Sequence, residues 1–104
     1  VNTANRITEL IFDAMRESNA AAGAGRVLEI SATTVLVGDT GKLDSLGFVN
    51  LMASIEENIE RAFHTPISVM DIILSADAED WTVADLAERV AEQLLAAQAS
   101  DAVA

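Results

Sequence analysis

The chain has no cysteine and no tyrosine, a single proline, and only six lysine and arginine residues against seventeen aspartates and glutamates. Without cysteine the protein itself supplies no disulfide framework, no thiolate metal ligand and no thiol nucleophile, so any thiol chemistry has to be imported. Aromatic residues make up 4% of the chain and alanine is in excess, a balance that favours packed helices over a β-sandwich. The shortage of basic residues removes the positive footprint that nucleic acid or an anionic membrane requires. No apolar run approaches the roughly 18 to 20 residues of a membrane span, and the N-terminus lacks a basic-then-apolar secretory pattern. A cytoplasmic protein without membrane insertion is the expectation.

What the chain has in quantity is apolar surface and acid. Hydrophobic residues are 51% of the 104, enough for one modest core, and the expectation is a single domain over residues 1–104, ordered from about 3 to 97 with a frayed tail over 98–104. The formal net charge of −11 is unevenly spread: residues 1–42 hold five acids against four bases, and residues 43–104 hold twelve against two. That asymmetry suits basic protein surfaces as partners, and any single carboxylate also serves solubility.

Apolar spacing divides the chain into helices. Ile7, Leu10, Ile11, Ala14 and Met15 recur at helical intervals and predict a first helix from Thr3 to about Ala22, ended by Gly23 and Gly25. From Arg26 to Lys42 the period is lost, and a long loop is expected, with a helical turn near Val27 to Ile30. Val27, Leu28, Ile30 and Leu36 tack that loop to the core. Its run Thr34-Val35-Leu36-Val37 reads as strand-like, but no second strand is evident to pair with it.

The second helix is expected from Asp44 or Ser45 to Ala62 or Phe63, traced by Leu46, Val49, Ala53, Glu56 or Glu57 and Ile59 through Phe63 and widened by Leu51, Met52 and Ile55. Pro66 prevents its continuation. A short third helix follows over Ser68 to Leu74. The last begins with Thr82 as N-cap, Asp85 in the position of a capping box, and Trp81 and Leu86 at the spacing of a hydrophobic staple, and runs to about Ala97. The fold class expected is therefore all-α, a small bundle of three main helices plus one short helix with a long loop after the first.

The most informative segment is Leu43-Asp44-Ser45-Leu46-Gly47, at the opening of the second helix. Serine and aspartate are ordinary helix N-caps, so Ser45 has a purely structural reading. It has no reading as a hydrolytic nucleophile: the one histidine, His64, stands at the other end of the same helix, about 27 Å away at the helical rise. The acidic clusters over 39–44 and 77–80 fail the calcium-loop pattern, since Gly41, Leu43 and Trp81 stand where oxygen ligands are needed. No metal is expected.

The pentapeptide, followed by Val49, Leu51 and Ile55-Glu56-Glu57, resembles the prosthetic-group site of the acyl carrier proteins, and the helix order, length and charge fit the same family. That resemblance implies a covalent 4′-phosphopantetheine arm on Ser45, its thiol holding acyl or aminoacyl thioesters. By family register Asp44, Glu56 and Glu57 meet basic patches on partner enzymes, with Glu60 as an addition. Leu46, Val49, Ile55 and Ile59 line an acyl pocket, or are ordinary core. The implied partners are a phosphopantetheinyl transferase, an acyl- or aminoacyl-loading ligase, and downstream transferases or synthases with basic docking surfaces. The carrier itself would be a monomer and no enzyme.

Gly47 and Asn50 stand where fatty-acid carriers are commonly acidic, and Arg61 adds a positive charge near the glutamate pair. The pattern is closer to discrete aminoacyl carriers of the D-alanyl type and to carriers of specialised pathways. A peptidyl carrier domain fits less well, because Lys42-Leu43 replaces the glycine pair of that group. A different class remains open: a small acidic helical adaptor that binds proteins and carries no prosthetic group.

Overall fold

The computed structural model describes residues 3–21, 29–37, 45–75 and 81–103, with the backbone alone at 21, 37, 45, 46, 75 and 98–103. The first helical stripe forms as spaced: α1 runs Thr3–Ala21 and buries Ile7, Ile11, Ala14 and Met15, with Leu10 at the edge of the buried face. α2 spans Ser45–Phe63, α3 spans Val69–Ser75 and α4 spans Val83–Val103. The all-α class therefore holds, with three long helices and a short one among the described residues.

α1 and α2 lie antiparallel. Leu10 meets Asn58, and four residues earlier the Arg6 guanidinium stacks 4.7 Å over the Phe63 ring, so residue numbers fall along one helix as they rise along the other. Both helices and α4 share one core in which Leu51, Met52, Ile55, Ile59, Leu86, Val90 and Leu94 are buried, and α3 contributes Val69 and Ile72. Burying each such side chain is worth about 1.5 to 3 kcal/mol, which a helix of this length needs because intrinsic propensity leaves it marginal.

The long loop departs from expectation. Val35–Val37 is a strand, β1, and it does have a partner: Trp81–Thr82 forms β2, antiparallel to it, with Val35 opposite Thr82 and Val37 opposite Trp81 across a bulge. The pairing continues into the start of α4, where the Val83 N–H donates to the Thr34 carbonyl and the Ala84 N–H to the Ala32 carbonyl, each at 3.0 Å. The first-turn N–H groups of a helix have no partner within it, and here carbonyls of the loop take that place. Leu36 is buried and Ile30 half-buried, as expected of residues that tack the loop down. Glu29 and Ile30 are not helical, and Val27, Leu28, Gly23 and Gly25 lie outside the described residues.

At α4 the capping box closes in both directions: the Asp85 N–H donates to Thr82 Oγ1 and the Thr82 N–H to Asp85 Oδ2, each at 3.2 Å. Trp81 and Leu86, on either side of the cap, are both in the core. The Trp81 Nε1–H is buried without an acceptor among the described residues, a cost offset by the area of the indole removed from water. α4 then runs on past the expected end near Ala97 to Val103, through residues whose alanines are the strongest helix formers.

α2 ends on a left-handed residue. His64 has φ 56°, and its N–H donates to the Glu60 carbonyl at 2.8 Å, the single-bond form of a helix C-terminal cap. Ser68 then caps α3, its Oγ accepting from the Asp71 N–H at 3.3 Å.

Candidate functional site

Ser45 is the first residue of α2, and the first turn that follows it holds no acidic side chain. Gly47 and Phe48 are half-buried, whereas Val49 and Asn50 are exposed. Around a helix of 3.6 residues per turn, positions 45, 49, 53, 56 and 60 fall within about 80° of one another. They form a flank beside the buried stripe of Leu51, Met52, Ile55, Asn58 and Ile59.

That division corrects the expected apolar trace of this helix. Val49 retains 52% of its exposure and Ala53 is also exposed, so neither belongs to the buried stripe. The reason is angular: the core pulls in the 51/52, 55 and 58/59 positions, and 49 and 53 are rotated off that face. Ile55 and Ile59 are fully buried in the shared core. The side chains of Ser45 and Leu46, and all of Asp44, lie outside the described residues.

The three glutamates of α2 are differently engaged. Glu56 is half-buried, and its Oε2 accepts the Val69 N–H at 3.2 Å, so it ties the beginning of α3 to α2. Glu57 pairs with Arg61 at 3.0 Å one turn on, with both side chains more than two thirds exposed, a contact worth little in water. Glu60 is exposed. An open groove of about 560 Å³ lies between Ala53, Glu56 and Glu60 on α2 and Pro66, Ile67 and Ser68 on the connection to α3. Glu57 also lines it, so three carboxylates and the apolar Ala53, Pro66 and Ile67 share its walls.

His64 is exposed at the far end of α2 from Ser45. Among the described residues no three histidine, aspartate or glutamate side chains come together as a metal site, and no helix is long and apolar enough to cross a membrane.

Sequence reasoning missed Asn58 altogether and, of Glu56, which it had named as a partner-docking acid, missed the contact with α3. Asn58 is buried at 6% exposure and its Nδ2 donates to the Leu10 carbonyl at 3.2 Å. Its signal was available, since 58 stands on the stripe of 51, 55 and 59, where an amide is out of place unless it has a partner. Glu56 had no such signal, because the N–H it meets is 13 residues away across a turn.

Comparison with known protein families returns no match, and neither curated proteins nor solved structures provide one.

Proposed function

We propose that this protein is a carrier whose Ser45 hydroxyl is the attachment point of a 4′-phosphopantetheine arm. The observation that carries the reading is the segment Leu43-Asp44-Ser45-Leu46-Gly47 together with the start of the 19-residue α2 at its serine. A phosphodiester on the first residue of a long helix meets the positive end of its dipole, and the first turn of α2 itself contains no acidic residue, Asp44 standing just before it. Such an interaction at an exposed position is worth about 0.3 to 1 kcal/mol, too little to hold a group that is not covalently joined. When attached, the arm supplies the thiol that the cysteine-free chain lacks, and with it thioester chemistry.

The chain's own part is presentation. Exposed Glu57 and Glu60 on α2, in a protein of net charge −11, attract basic surfaces through weak contacts that form and break quickly, as a shuttle requires. The partners on this reading are a phosphopantetheinyl transferase, a ligase that loads an acyl or aminoacyl group, and enzymes that consume it. The carrier is cytoplasmic, monomeric and not itself catalytic.

The test is incubation of the purified protein and of Ser45→Ala with coenzyme A and a phosphopantetheinyl transferase of broad specificity, followed by intact mass. The parent gains one phosphopantetheine and the variant none. A parent that stays unmodified overturns the proposal and leaves the acidic adaptor as the better account.

A further inference from the structure

The geometry points to α3 as a strap that seats and unseats on α2 as a unit, with the Glu56 carboxylate as its latch. α3 has seven residues, two turns at most, and a helix that short does not persist by its own hydrogen bonds. Its order comes from docking, and the docking is one-sided: Val69 and Ile72 are buried, while Asp71 is exposed and Leu74 keeps 75% of its exposure.

Val69, Met70, Ile72 and Ile73 pack the strap against the core, and a polar contact holds its first residue to α2. Val69 opens α3, and its N–H is one of the donors that a helix cannot satisfy internally. Ser68 serves the N–H groups three and four residues further on, Asp71 through its hydroxyl and Ile72 through its carbonyl, and both bonds move with α3. The bond from the Val69 N–H to Glu56 Oε2 joins this end of α3 to α2.

The connection over residues 64–68 supplies the pivot. It leaves α2 at His64, in the left-handed region, and the Thr65 hydroxyl donates back to the Phe63 carbonyl at 3.3 Å, so the turn belongs to α2 and the strap begins after it. The groove between Ala53, Glu56 and Glu60 and the connection ends at Ser68, next to the first residue of α3. Glu56 is accordingly a positioning residue for α3, distinct from Glu57 and Glu60, which face solvent.

Amide hydrogen exchange on the intact protein, resolved by residue or short peptide, tests the latch in Glu56→Ala, Glu56→Gln and Glu57→Ala. In the parent, residues 69–75 exchange faster than the amides at the middles of α1 and α2. Glu56→Ala speeds exchange over 69–75 by about tenfold, the size expected for loss of one bond to a charged group, and leaves α1 and the core of α4 unchanged. Glu56→Gln keeps an oxygen acceptor and restores most of the protection, a rescue that general loss of stability would not show. Glu57→Ala leaves α3 as in the parent. An equal increase in all helices, no increase in α3, or a Gln variant as fast as the Ala variant would each overturn the assignment.

Discussion

The side-chain amide of Asn58 in α2 donates to the main-chain carbonyl of Leu10 in α1 at 3.2 Å, from within the interface where the two antiparallel helices bury their apolar stripes. The bond has one geometry to satisfy, so it sets the axial register of two surfaces that apolar contacts alone would hold less selectively.

That relationship ranks substitutions at this position. Asn58→Ala removes the donor but leaves the Leu10 carbonyl its place in α1, and is expected to cost about 1 to 3 kcal/mol. Asn58→Asp brings a buried carboxylate against a carbonyl oxygen and costs more, about 3 kcal/mol or above at neutral pH. Urea denaturation of both variants checks the order, and a milder loss in Asp than in Ala would refute it.

The cap of α4 is predicted to behave as a coupled pair. Thr82→Ala costs about 1 kcal/mol, the usual value of a side-chain N-cap. Since Asp85 returns the bond to the Thr82 N–H, the double variant with Asp85→Ala loses less than the two single losses added together. A double-mutant cycle by thermal denaturation measures the coupling, and strict additivity would count against the reciprocal box.

At the end of α2, His64→Gly is expected to stabilise the protein slightly, by up to about 1 kcal/mol, because φ 56° carries a steric cost for a residue with a Cβ. His64→Val is expected to destabilise it, since a β-branched side chain fits that region worst. Comparing the two melting temperatures decides the point, and a stabilising valine would contradict the geometry.

Val49 and Ile55, grouped together by family register, should separate in stability. Ile55→Ala removes a fully buried side chain and costs about 2 to 5 kcal/mol. Val49→Ala, on the exposed flank, stays within about 0.5 kcal/mol of the parent. Equal losses at both positions would mean that position 49 belongs to the core after all.

What could be read from the chain alone was whatever repeats over a few residues. The stripe of Ile7, Ile11, Ala14 and Met15 announced α1, Pro66 announced the end of α2, and Thr82 with Asp85 announced the start of α4 with its cap already complete. These are contacts between residues three or four apart, whose geometry is the helix itself. The serine at the head of α2 was legible in the same way, as a position in a local pattern; what it carries belongs to the proposal above and to its experiment.

Tertiary structure decided the rest. Val35–Val37 became a strand only because Trp81–Thr82, more than forty residues on, lies beside it; three residues have too few hydrogen bonds to be a strand alone. Val49 and Ile55 are both apolar residues of one helix, and which of them faces inward was settled by where α1 and α4 stand. Glu56 read as a partner-docking acid, and its bond to the start of α3 was visible only in the folded chain. The sequence by itself determined where the helices begin and where α1 and α2 end, because those choices depend on near neighbours. Only the assembled chain decided which side was used and which polar groups were taken, because a donor or a face acquires its role from a partner that the local pattern does not contain.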